Sequence, residues 1–233
     1  MAASLSSHAA GTLFSGSIQY DNSASPNPVV VLIDPIGESD RWANSATKLS
    51  WEISYVGGAL PWRYVYTWES SGQNLSHILI ETSGNTVTAD FNLVSGNVSF
   101  SGTNPTSQTE GSGNPDLPST IFGLRFAGTS QDATWTLDSK RAPTWGDFYA
   151  KSGNNSGPAW NAGLTATDTD PSVDWAAFAL GDLSTFQHDG PSRSIHIALP
   201  DTVETPIIPE PGTVAAGLGL GMLALGALIR RQR

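Results

Sequence analysis

From Lys48 to Glu69 the chain alternates with a period of two. Leu49, Trp51, Ile53 and Tyr55 fall on one side, and Lys48, Ser50, Glu52 and Ser54 on the other. Successive side chains of an extended strand point to opposite faces, so this segment reads as a strand wetted on one side only. After Gly57-Gly58-Ala59-Leu60-Pro61 the pattern resumes, with Trp62, Tyr64, Tyr66 and Trp68 against Arg63, Val65, Thr67 and Glu69. The two runs and the Gly/Pro break between them make a hairpin. Short aromatic and β-branched runs at 12–20, 28–34, 76–82, 86–92, 97–101, 120–126, 133–138, 145–150 and 193–199 predict further strands. Before residue 212 helical periodicity is confined to a turn around Asp174–Phe186. The expected fold is all-β: an antiparallel β-sandwich, jelly-roll or immunoglobulin-like, in one domain over residues 11–199. Segments 102–118 and 151–174 read as long loops, the second anchored by Trp160 and Leu164.

Composition narrows the function classes. Hydrophobic residues make up 39% of the 233 positions, enough for a core, while only 14% are charged, which excludes a coiled coil. Acids outnumber bases 21 to 11, the wrong balance for a nucleic-acid partner. Cysteine is absent, so thiolate chemistry, Cys-ligated zinc and disulfides are excluded.

The end of the chain changes character. Pro200, Pro206, Pro209 and Pro211 punctuate residues 200–211, a linker that can be neither helix nor central strand. Residues 212–229 then run 18 positions without a charge and end on Arg230, Arg231, Gln232 and Arg233. As a helix this span is roughly 27 Å long, sufficient to cross a thin hydrocarbon core. The arginines of 230–233 predict a cytoplasmic tail, with the bulk of the chain outside.

Pro209-Glu210-Pro211, the Gly/Ala/Leu-rich span and the basic end, in that order, resemble the PEP-CTERM sorting signal of exported bacterial proteins. The resemblance implies that an exosortase recognises the signal, cuts near Pro209, Glu210 and Pro211, and passes the domain to the cell surface or matrix. It implies a single C-terminal transmembrane helix as a temporary anchor in the inner membrane, with Arg230, Arg231 and Arg233 fixing topology. Such proteins occur in Gram-negative bacteria that build exopolysaccharide, so the expected partners are the exosortase, the membrane and exopolysaccharide. Segment 143–151 (PTWGDFYAK) with Ala159-Trp160-Asn161 is similar to segments of uncharacterised PEP-CTERM proteins, as are Leu49-Ser50-Trp51, Trp62–Tyr66 and Ser76-His77-Ile78. No activity comes with that likeness. At the other end, Ser7-His8-Ala9 has the small-x-small pattern of a signal-peptide terminus, so residues 1–10 are expected to be the remnant of one.

Within the domain, the ring row Trp62, Tyr64, Tyr66 and Trp68 is either core or a platform for stacking on sugars. Four exposed rings would present about 600 Å², at or above the largest apolar patch usual on a monomer, and this favours core. Asp168, Asp170 and Asp174 are three carboxylates in seven residues, either a nonstandard Ca²⁺ loop or a solvated acidic turn. They miss the EF-hand pattern, because Val173 stands at the glycine position and Ala179 at the final acid. No cofactor other than Ca²⁺ is suggested. His77 and Glu81 are four apart, about 13 Å along a strand and too far for direct contact. Hydrolase and nucleotide motifs are missing. Glu38-Ser39-Asp40 begins a glucanase-like pattern that Ala43 ends. The expectation is therefore a non-enzymatic displayed protein; the alternatives are a carbohydrate-binding module and then a glycoside hydrolase. Residues 1–209 carry 20 acids and 8 bases, a net charge of −12, so an acidic polysaccharide would need Ca²⁺ to bridge it.

Overall fold

A computed structural model of the chain describes residues 12–20, 30–32, 42, 47–70, 72–153, 157–165 and 196–201. They form antiparallel sheets. The first contains β1 (Thr12–Gln19), β3 (Lys48–Tyr55), β4 (Trp62–Glu69), β6 (Phe91–Gly96) and β10 (Ala133–Ser139), in the order β1-β3-β4-β10-β6. The second contains β2 (Val30–Leu32), β5 (Leu75–Glu81), β7 (Ser99–Phe100), β8 (Thr106–Gln108), β9 (Ile121–Ala127), β12 (Phe148–Ser152) and β13 (Ala159–Asn161). Its order is β2-β13-β12-β5-β9, after which β7 and β8 both pair with β9. A two-stranded ribbon joins β11 (Pro143–Gly146) to β14 (Ile197–Pro200).

The β3–β4 hairpin has the bounds that its alternation sets, and its register runs from Lys48 opposite Glu69 to Tyr55 opposite Trp62. Its apolar side is the core: Leu49, Trp51 and Ile53 on β3 and all four rings of β4 are buried. Ile78 and Ile80, Leu124 and Phe126, and Phe148 and Ala150 come from the second sheet to meet them. Ring contacts tie the two faces, with Trp68 against Phe148 at 6.2 Å and Phe126 against Trp135 at 5.3 Å. Tilted and edge-on rings at these separations add to what area burial alone gives.

The second sheet is covered on its other face too. Leu79, Ile121, Tyr149 and Trp160 pack there with Leu117 and Leu164. Segment 102–118, expected to be a loop, is this cover: it contributes β8, Leu117 and a Tyr149 Oη–H bond to the Pro115 carbonyl at 2.7 Å. Segment 151–174 likewise contains β13 and a 3₁₀ turn at Ala162–Thr165, with Trp160 and Leu164 buried as anchors.

Two other expected strands are revised. Residues 86–92 are not one strand: a 3₁₀ turn spans Thr88–Asp90, because the Asp90 carboxylate accepts the Val87 N–H at 3.1 Å and stops the extended run. Residues 145–150 divide at Asp147. There β11 leaves for β14 while β12 joins β5, and the Asp147 N–H turns instead to the Glu81 carboxylate at 3.0 Å. Gly146 makes the division sterically feasible, since a Cβ there would stand 2.7 Å from Leu199 Cδ2.

Gly123 on β9 is equally constrained, because an added Cβ would overlap the Ile80 carbonyl oxygen, a backbone atom that cannot swing aside. Gly123→Ala should therefore destabilise the protein by about 1–3 kcal/mol. Gly84→Ala, in open space, should change stability by about 0.5 kcal/mol or less. Paired chemical denaturation curves measure both.

Candidate functional site

The rings raised as a sugar platform are not one. Trp62, Tyr64, Tyr66 and Trp68 are each 0% exposed, because the second sheet lies over the face that carries them. Their polar ends serve the fold: Tyr64 Oη–H donates to the Arg141 carbonyl at 2.8 Å and Tyr66 Oη–H to the Ala198 carbonyl at 3.0 Å. Burial holds both phenols well above their ordinary pKa.

The opposite face of the same strands meets solvent, and it holds a groove of about 430 Å³. Ser15, Gly16 and Ser17 of β1, Lys48, Ser50, Trp51 and Glu52 of β3, and Val65 and Thr67 of β4 line it. Register explains the lining. Ser17 stands opposite Ser50, Ser50 opposite Thr67, and Thr67 opposite Thr134, so four hydroxyls form a row across four strands. Neighbouring strands lie about 4.8 Å apart, which sets the spacing of that row. The next row on this face runs Ser15, Glu52, Val65, Thr136. Gly16 faces the core side opposite Trp51, and a Cβ there would come within 2.5 Å of the indole.

Ion pairs close the face at both ends. Lys48 meets Glu69 at 3.4 Å, and the Arg63 guanidinium forks onto Asp138 at 2.7 and 2.9 Å. The Asp138 hydrogen bond, against a smaller desolvation cost, raises the Arg63 pKa. Between these ends, Ser15, Ser17 and Glu52 make no side-chain hydrogen bond among the described residues, so their capacity is turned outward.

Two polar clusters that sequence spacing did not reveal are structural. Asp147 Oδ1 accepts from His196 Nδ1 at 2.9 Å and from Asn161 Nδ2 at 2.5 Å, while Asn161 Oδ1 accepts the Phe148 N–H at 2.8 Å. An acid–imidazole pair can orient a general base, but His196 is 2% exposed and its ring lies against Gly163, out of reach of a substrate. The cluster instead joins β12, β13 and β14. Its one legible signal was the likeness that singled out Gly146-Asp147-Phe148 and Asn161.

The second cluster lies under the cover of the second sheet. His77 Nε2 and Asn114 Oδ1 are 2.9 Å apart, Arg125 Nη2 is 3.3 Å from His77 Nδ1, and Arg125 Nη1 donates to Gln108 Oε1 at 3.4 Å. The His77 partners are Asn114 and Arg125 and not Glu81, in keeping with the distance that separates His77 from Glu81 along the strand. Burial first, and then the Arg125 charge with Lys151 behind it, lowers the His77 pKa to about 4 in spite of the Asn114 bond. The neutral ring therefore takes the Arg125 hydrogen on Nδ1 and donates from Nε2 to Asn114. Burial also lowers the Arg125 pKa and raises that of Tyr149.

Asp168, Asp170 and Asp174 lie outside the described residues, as do Pro209, Glu210 and Pro211, the 212–229 span, and Arg230, Arg231 and Arg233. Among the described residues no group of three or more His, Asp or Glu is placed to hold a metal ion, and no helix is long and apolar enough to cross a membrane. Comparison with protein-family models, curated proteins and solved structures finds no match to this chain.

The His77 cluster has a pH signature. With a folded-state pKa of about 4 against an unfolded value of about 6.5, the unfolded chain binds the extra proton between those limits. This contribution is intact above about pH 6.5 and is lost as pH falls towards 4, a decline of about 3 kcal/mol. His77→Gln, neutral throughout, should flatten the stability–pH curve in that window. Urea titrations at pH 7, 5.5 and 4.5 measure the difference in slope.

Proposed function

We propose that this chain is a non-enzymatic exported protein, delivered by its C-terminal signal to the cell surface or the extracellular matrix. One observation carries the reading: Pro209-Glu210-Pro211, an uncharged 18-residue span and a cluster of arginines follow one another without interruption. Each part has a physical task in that order. The prolines keep the scission segment extended, which a protease groove requires. The span is long enough to lodge in a bilayer, and the arginines stay on the cytoplasmic side. An exosortase is the partner, and it cuts near Glu210. The finer fold within the same proposal is a sandwich of jelly-roll or immunoglobulin-like type followed by one transmembrane helix.

The last described strand supports this reading by how it is held. β14 stops at Pro200, and the Asp201 carboxylate accepts the Ser83 N–H, with the Asp201 N–H bonded to the Ala142 carbonyl at 3.2 Å. Eight residues stand between Asp201 and Glu210, a reach of at most roughly 30 Å. Cleavage near Glu210 leaves every described strand intact.

Glu210→Ala should block maturation in a cell that contains an exosortase, so that the full-length precursor accumulates in the membrane fraction. Immunoblotting of fractionated cells reads the precursor, and thermal melting of the purified variant should match that of the parent. A mature product of unchanged amount and mobility refutes the role of Glu210.

A further inference from the structure

We propose that the groove on the solvent face of β1, β3 and β4 is a binding site for a neutral polysaccharide, laid across the strands along the hydroxyl row. The site is built from residues 15–17, 48, 50–52, 65 and 67 and stands independently of the sorting proposal.

Its chemistry selects the ligand. About 430 Å³ falls within the usual range for small-ligand sites, about 300–1,000 Å³, and can hold a short length of a polymer. Four of the nine lining residues carry small hydroxyls, each able to donate one hydrogen and accept others, which suits a partner that itself carries hydroxyls of both kinds. Ser15 and Ser17 are exposed and make no competing side-chain bond among the described residues. The Thr67–Thr134 hydroxyl pair, at 3.3 Å, extends the row one strand beyond the groove, so a chain fits the face better than a single sugar.

Charge excludes the acidic alternatives. Glu52 is exposed in the lining without a pairing cation among the described residues, Lys48 is already paired with Glu69, and residues 1–209 carry −12. A polyanion would be repelled on approach, whereas an uncharged polyol meets no such barrier. Trp51, the one aromatic residue of the lining, is 2% exposed, so recognition is by hydrogen bonds and not by ring stacking. Affinity for a single segment is accordingly modest, and it accumulates along the polymer.

Affinity electrophoresis of the full chain, in a non-ionic detergent without a sugar headgroup, tests this with dextran, a mixed-linkage β-glucan and a mannan as neutral probes. Alginate, with and without Ca²⁺, is the acidic probe. At least one neutral polymer should retard the protein. Ser50→Ala with Thr67→Ala should weaken that retardation by about ten-fold or more, since each lost hydroxyl is worth roughly five-fold. Ser50→Tyr, which keeps a residue suited to a strand while filling the groove, should abolish it. Ser95→Ala, off the groove on β6, should leave it unchanged, and circular dichroism of every variant should match the parent. Retardation by no neutral polymer, preference for alginate, or full binding by the Ser50→Tyr protein would each overturn the proposal. Glu210→Ala should bind the neutral polymer like the parent, which separates this outcome from that of the sorting test.

Discussion

The burial of one face of β4 against the second sheet is the constraint from which the rest of the domain follows. Four large rings on every second position of one strand cannot remain in water, so another layer has to cover them. Fully burying such rings removes about 150–250 Å² each, of the order of 4–6 kcal/mol apiece as an upper bound. That demand fixes which face of the β3–β4 hairpin is inside, draws Phe148 and Phe126 across from the second sheet, and sets Lys48, Ser50, Glu52, Arg63 and Thr67 outside. The solvent groove is thus a by-product of core formation: hydroxyls fall into line across the strands because rings fall into line on the reverse.

The second sheet solves a different problem. Its strands carry apolar side chains on both faces, as the unbroken burial of His77-Ile78-Leu79-Ile80 records. One face meets the rings of β4, and the other is covered by the chain around Leu117 and Leu164. A polar network sits within that cover, where a neutral His77 bridges Arg125 and Asn114. Elsewhere burial pushes the Asp90 carboxyl upward, but the Val87 N–H, Arg141 and Lys140 outweigh it and keep the acid ionised, which lets the 3₁₀ turn replace a strand. In both places a buried ionisable group is tolerated because its neighbours settle its charge state.

How much of this could be read from the sequence depended on the kind of signal. The hairpin was fully legible, because alternation over eight residues on each side of a Gly/Pro break leaves one register. Which of its faces turns inward was less so, since period alone assigns residues to a side without saying what covers that side. Segment 102–118 was misread because its contribution to packing rests on Leu117, one apolar residue in a polar stretch, and on Asn114 and Pro115, which act through hydrogen bonds. The division at Asp147 was hidden for a similar reason: Trp145 and Phe148 look continuous, and the break depends on Glu81, 66 residues earlier. The groove itself depends on pairing between β1 and β3, strands about 35 residues apart, and small hydroxyl side chains leave no periodic mark of their own.

The closure of β14 has a mechanical corollary. The last described strand is gripped from three directions: by β11 along its length, by the Tyr66 hydroxyl at Ala198, and by the Ser83 backbone at Asp201. Tension applied at residue 201 would be distributed at once to β4, β11 and the turn after β5. A domain pulled at that point would then resist extraction with the strength of its interior, not with that of a single terminal ribbon.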